Sequence, residues 1–412
     1  MFRRKMTLAE ADSLPRWRRP ESLLIVLAAA MPIAFATWSA LLNNFVIEVA
    51  GFTGVEIGWL HTVREIPGLL AIGVILLLLF IREQVLGLVA LILLGCATAL
   101  TAYFPSFGGI LYVTLFSSIG FHYFETVNQS LQLQWIDRAR APQVLGWLVA
   151  VGSGASLVAY GLIVATWDVL GLDYNKVYLA SGGVTVLIAL FCLFAYPQFE
   201  APHPQNKTMV LRRRYWLYYA LQLMAGARRQ IFVVFAAFMM VEHFGFEVHQ
   251  VTALFLINFV ANMIVGPFVG RWLAKYGERR MFMVEHLGVA LVFMAYGGVY
   301  SFGWGAFIGA ALYVIDHLFF AMAFSLKTYF QKIGDPADMA PTAAVAFTIN
   351  HIAAVFLPAS LGYIWVQSPE AVFGLATIMA FATLALAFLV PRDPGPGNET
   401  IFSARRAPFP AE

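Results

Sequence analysis

Several ionisable and amide side chains of this chain fall inside stretches that are otherwise apolar, and their spacing is helical. His122, Glu125, Gln129 and Gln132 step by three, four and three residues, which places them on one face of an α-helix. Arg228, Arg229 and Gln230 are consecutive in another block, with Gln222 seven residues before Arg229 and on its face. Neighbouring helical positions diverge by about 100°, so the two arginines are expected to do different jobs. One can grip an anionic group with its planar fork; the other pairs with a carboxylate, Glu125 or Asp316. Asp316 and His317 lie mid-block, and Lys327 follows eleven residues later, on the same face but about 16 Å further along the axis, too far to pair with Asp316. Arg64 and Glu65 form an adjacent acid–base pair with His61 one turn earlier, and Asn350 and His351 occupy a further block.

A charge at mid-membrane costs about 2.5–3.5 kcal/mol on insertion scales, so such residues face an interior and tend to be functional. Glu125 and Asp316, partly desolvated, are candidates to exchange a proton, and His122, His317 and His351 are further candidates because free imidazole changes charge near neutral pH. Arg228 and Arg229, with Gln129, Gln132, Gln222 and Asn350, make a candidate binding set for a small organic anion. Inside the apolar blocks Arg64, Arg228, Arg229 and Lys327 face Glu65, Glu125 and Asp316, a slight excess of positive charge. The His122–Glu125 spacing offers too few convergent ligands for a metal. HExxH, GxSxG and a cysteine with a basic neighbour are all missing, so no enzyme activity and no cofactor are expected. Cys96 and Cys192 read as packing residues.

The elements that must carry these side chains follow from composition. Of 412 residues, 60% are hydrophobic and 12% charged; soluble domains carry about 25% charged residues. The apolar residues come in blocks of about 20, enough to cross a hydrocarbon core of about 30 Å. Without water, each block must be a helix or part of a closed barrel, and stretches such as Leu69–Phe80 lack the alternation of barrel strands. Spans are expected at 22–43, 57–81, 84–104, 107–135, 143–167, 177–196, 215–241, 248–273, 281–302, 304–331, 341–366 and 370–390. The third, sixth and twelfth carry no charge in their cores, and the ninth only Glu285 and His286 near its start. The fold class is an all-α membrane protein: twelve transmembrane helices in two six-helix bundles. The expected domains are a tail (1–21), a first bundle (22–196), a polar linker (197–214), a second bundle (215–390) and a tail disordered by composition (391–412). Loop lysines and arginines on the side of the N-terminus number 21, against Lys176 alone opposite. By the positive-inside rule both termini are cytosolic. Two sequons, Asn206–Thr208 and Asn398–Thr400, fall on that side and read as chance matches.

Gly270-Arg271-Trp272-Leu273-Ala274-Lys275-Tyr276-Gly277-Glu278-Arg279-Arg280 joins the eighth and ninth spans. It resembles the loop signature of the major facilitator superfamily, in which a glycine precedes an acid–base pair, a second glycine and two basic residues. Ser130-Leu131-Gln132 and Ser325-Leu326-Lys327 recur at matching points of the two halves, as a parallel repeat requires. Gly270 is expected to let two helix ends approach and Gly277 to turn the chain. The resemblance implies a gate-latching role for Lys275, Arg279 and Arg280. Ala274 stands where the acid is usual, and the equivalent first-half loop is only Ile81-Arg82-Glu83-Gln84. Arg64 and Glu65 suit an outer gate. The resemblance further implies alternating access around a central site built mainly by the first, fourth, seventh and tenth helices.

The function expected is secondary active transport of a small solute, an organic anion coupled to protons. The alternatives are proton-driven efflux of an amphipathic or cationic compound and, from another class, a membrane-embedded enzyme or receptor. Expected partners are the small-molecule substrate, protons and membrane lipid, with no nucleic acid; a monomer in the plasma membrane, of the bacterial inner-membrane kind, is expected.

Overall fold

A computed structural model describes residues 5–71, 73–136, 141–200, 211–335 and 339–403. Nearly all of them are helical. The first helices are α1 (Pro20–Glu48), α2 (Gly54–Leu69), α3 (Glu83–Leu100), α4 (Phe107–Trp135), α5 (Ala141–Thr166) and α6 (Tyr174–Ala195). They are followed by α7 (Arg213–Glu242), the 55-residue helix Val248–Phe302, a helical stretch Ala306–Ile333, α11 (Met339–Trp365) and α12 (Pro369–Phe388).

Among the described residues, ten helices are long and apolar enough to cross a membrane. The 55-residue member would be about 80 Å long at 1.5 Å per residue, far beyond one bilayer. Gly277, with φ 77° and ψ 166°, breaks it, a left-handed φ that suits glycine. It is therefore two spans, α8 (248–276) and α9 (278–302). The stretch Ala306–Ile333, interrupted by a tight turn at Ala321–Ala323, is α10. α2 is shorter than the expected 57–81 span. Pro67 removes a backbone donor, Ala71 and Gly73 close tight turns onto Gly68 and Leu70, and helix resumes only as Gly73–Leu77.

Two compact units are present. The first holds residues up to Phe52, Val63–Asn206 and Glu247–Leu256. In it α3 packs on α4 and α6, and α1 packs on α5 and α6. Leu24, Leu27, Leu88, Leu91, Phe124 and Cys192 are part of its core. The chain start is pinned there: Lys5–Met6 pairs in parallel with Gln198–Phe199, and Arg18 donates to the Ala195 carbonyl. The second unit holds Thr53–Thr62, Lys207–Phe246 and Ile257 onward, with α7 packed on α11 and α12.

Large apolar side chains stay exposed along helix faces, such as Leu187, Phe191 and Phe194 on α6 and Ile378 on α12. In water such faces would be liabilities; against lipid they cost nothing. Of the α5 glycines only Gly152 makes a close approach, to the Ala28 carbonyl.

Residues 391–403 make non-local contacts, against the compositional expectation for this segment. Ile401 N–H donates to the Leu389 carbonyl, Tyr329 Oη donates to the Glu399 carbonyl, and Glu399 and Thr400 are buried. Glu399 also accepts from Gly397 N–H and Ser403 Oγ, closing a compact turn. These contacts are non-local, which composition does not register. The sequon Asn398–Thr400 lies in this turn, and Asn206–Thr208 lies outside the described residues.

Candidate functional site

The second unit contains a buried charge cluster on α7, α9 and α10. Arg228 sits near the middle of α7, 9% exposed, and reaches two carboxylates. Its guanidinium is 3.1 Å from Glu285 of α9 and 3.2 Å from Asp316 of α10, and it also donates to the Asp316 carbonyl. Glu285 and Asp316 are buried. Phe320 lies under the guanidinium at 5.4 Å. Burying three charges is expensive unless they pair and hydrogen-bond, and this triad ties α7 to α9 and α10. With both carboxylates ionised it carries one net negative charge, which one proton would neutralise. A cavity of about 10 Å³, on the order of one water, is lined in part by Arg228 and His286.

Asp316 is one of the two partners expected for an arginine of the pair; Glu285 was not. Its place at the start of the ninth block marked it as an edge residue, outside the cavity-lining set. A lone acid in an apolar block was the available signal. Counting Glu285 with Glu65, Glu125 and Asp316 gives as many acids as bases, and the positive excess read from the sequence disappears.

Around the triad, α7 is locally rebuilt. Directly after Gln230 it widens into a π-helical turn, Ile231–Ala236, a feature common at functional sites. Gln230 is buried, and its amide atoms have no partner among the described residues. His317 accepts from Asn262 at 2.8 Å through Nε2 and stacks against Phe320. One turn before the arginines, Gly226 packs against the Asn350 backbone so closely that a Cβ would strike its carbonyl, and the Asn350 amide donates to the Gln222 carbonyl. Gln222, Arg229 and Asn350 are half-buried and Lys327 exposed. His351 donates from Nδ1 to the Phe347 carbonyl, the bond of a structural histidine.

In the first unit, Arg64 and Glu65 pair at 2.6 Å, with Trp38 beneath the guanidinium at 5.9 Å. Ser118 Oγ donates to the Arg64 carbonyl, and His122 Nδ1 donates to the Ser118 carbonyl at 3.0 Å. Along the α4 face, His122 is buried, Glu125 and Gln132 half-buried and Gln129 exposed. Glu125 forms no ion pair among the described residues.

The loop around Gly277 departs from expectation at two points. A Cβ on Gly270 would meet nothing among the described residues, so that glycine allows no close helix approach. The acid of the loop signature is replaced by Ala274, and the acid that does make a cross-helix pair is Glu278, one turn later: it is buried and pairs with Lys332 of α10 at 2.8 Å. Lys275 lies 5.2 Å over the Tyr276 ring. In the first-half loop, Gln84 donates to the Pro197 carbonyl and accepts from Phe199 N–H, while Glu83 accepts from Gln134.

Long apolar helices with buried, paired charges define a polytopic integral membrane protein. A model of the Major Facilitator Superfamily matches residues 23–358, and the chain belongs to that family. It is a transporter that works by alternating access rather than an enzyme. No curated protein sequence matches it significantly. Among solved structures, a variant of the nucleoside transporter NupG shares 14% identity at a TM-score of 0.73, covering 89% of this chain and 100% of that one. NupG itself shares 15% at 0.66, covering 89% and 98%. A bacterial homologue of the human lysosomal transporter Spinster, inward-facing and occupied, shares 11% at 0.65, covering 90% and 95%. At these identities the likeness is one of fold.

Proposed function

We propose that this chain is a proton-coupled secondary transporter of a small organic solute carrying an anionic group, with the Arg228–Glu285–Asp316 triad as its coupling element. The observation that carries this reading is the imbalance of two buried carboxylates against one guanidinium. A proton on either carboxylate leaves Arg228 to pair with the other alone. The three residues belong to three helices, so protonation changes how α7 is held by α9 and α10. Gln222, Gly226 and Arg229 ride on α7 and move with it. That links protonation to substrate groups one or two turns away.

Arg228 holds the two carboxylates; Arg229, half-buried on the next position of α7 and pointing about 100° away, is assigned the anion-anchoring role, with Gln222 and Asn350 completing the polar set. Within the first unit, Gln129 and Gln132 lie on the α4 face that also carries Glu125, and we assign them a substrate-contacting role there. His122, His317 and His351 are hydrogen-bonded in ways that suit positioning. Arg64–Glu65 and the Gly277 loop, with Lys275, Arg279 and Arg280, serve the gates. The distribution of loop lysines and arginines supports both termini on the cytosolic side, and we assign the chain to a bacterial inner membrane as a monomer.

The test is uptake into proteoliposomes under an imposed pH gradient, screened across organic anions. Arg229→Gln should abolish substrate binding at unchanged expression; unchanged flux would remove the anion anchor from the account. A second reading, efflux of a cationic compound drawn to Glu125, is favoured by the equal number of intramembrane acids and bases. Cation-driven thermal stabilisation lost in Glu125→Gln would select it.

A further inference from the structure

A groove of about 430 Å³ opens where α8 passes into α9, lined by Tyr276, Arg279, Arg280, Met283, Arg392 and Asp393. It belongs to neither the triad nor the substrate set. Three arginines against one aspartate give it two net positive charges, and none of the three arginines forms an ion pair among the described residues. Its far wall is built firmly. Asn398 donates to the Asp393 carbonyl at 2.7 Å, and Ile401 ties the same turn back to Leu389. Met283 is one turn beyond Arg279. From Arg280, the positions 284, 287 and 291 continue one helical face at steps of four, three and four. They are Val284, Leu287 and Leu291, each about half exposed, at 52%, 46% and 54%.

Charge at the helix end and an exposed apolar track running from it are the two halves of a phospholipid. We infer that this groove binds the headgroup phosphate of an anionic phospholipid, with an acyl chain laid along Val284, Leu287 and Leu291. Arginine forks suit phosphate oxygens, and basic pockets at the inner ends of membrane helices take anionic headgroups. Asp393 accepts from a headgroup hydroxyl, which favours phosphatidylglycerol among such lipids. The apolar track separates this assignment from a soluble phosphate site, which would need the arginines alone. It does not depend on the coupling mechanism proposed above.

The test is native mass spectrometry of the purified full-length chain titrated with phosphatidylglycerol, with phosphatidylcholine as reference. At about fivefold per arginine, the triple variant Arg279→Gln/Arg280→Gln/Arg392→Gln should bind phosphatidylglycerol on the order of 100-fold more weakly. Lys176→Gln, removing a charge at the far side, should bind as the unsubstituted chain does. Equal binding of the two lipids, or an unchanged triple variant, overturns the proposal. Displacement of the lipid by millimolar inorganic phosphate would reassign the groove to a soluble anion and also overturn it. Should the triple variant fail to fold, photoactivatable phosphatidylglycerol on the unsubstituted chain decides. Labelling concentrated on the peptide containing Val284 and Leu287 supports the site; labelling spread evenly over all exposed apolar faces contradicts it.

Discussion

Removing Arg228 should damage the fold far more than removing either of its partners. In Arg228→Gln, Glu285 and Asp316 lose the cation that both contact at about 3 Å, and both are buried. Stranding buried charge in this way costs about 3–5 kcal/mol. In Asp316→Asn or Glu285→Gln the remaining pair is balanced, and the loss is one charge-assisted hydrogen bond, about 1.5–3 kcal/mol, partly offset by the charge no longer buried. The expected order of stability is unsubstituted chain, then the two carboxylate variants, then Arg228→Gln. Thermal unfolding in detergent, followed by tryptophan fluorescence, gives this order directly. Acidification should narrow the gap, because a protonated carboxyl leaves no charge to strand. A triple variant with methionine, glutamine and asparagine at 228, 285 and 316 should recover much of the loss. Arg228→Gln unfolding at or above the temperature of Asp316→Asn would refute the reasoning, since it would mean the carboxylates do not depend on the guanidinium.

Three other outcomes follow from local geometry. Gly226→Ala puts a methyl against the Asn350 carbonyl, and overpacking of this kind costs about 1–3 kcal/mol; it should lower both the unfolding temperature and substrate affinity. Glu278→Gln leaves Lys332, itself half exposed, without its partner; the swap Glu278→Lys/Lys332→Glu should restore transport that either single change impairs. Gly277→Ala forces a side chain into a positive-φ, extended conformation (φ 77°, ψ 166°) that only glycine adopts readily, at about 1–3 kcal/mol, and should slow transport by stiffening or displacing the loop between α8 and α9.

The helix pattern was legible because the bilayer imposes one length and one kind of backbone on every span. Loop arginines then constrained the count, since a missed span would scatter them to both sides. Asp316 and the arginine pair stood out as charges where charge is costly. Glu285 did not, because its position at the start of the block marks an edge residue, whereas its burial depends on which helices flank α9. That is a tertiary property. Gly270 misled for a similar reason: a glycine permits close approach only if another element arrives, and nothing among the described residues does. The turn at Gly277 needed only local sequence. The segment Pro391 to Ser403 shows the limit of composition: its prolines and glycines read as disorder, while Tyr329 and Leu389 supply partners that hold it in place.

In the proposed mechanism a proton on the triad drives transport. The most direct test compares the unsubstituted chain with Asp316→Asn in proteoliposomes loaded with a substrate identified by the uptake screen. The unsubstituted chain should accumulate substrate uphill under a pH gradient and lose this with a protonophore. Asp316→Asn should retain downhill exchange across the membrane but lose the pH-driven accumulation. Accumulation by Asp316→Asn equal to that of the unsubstituted chain would contradict the account.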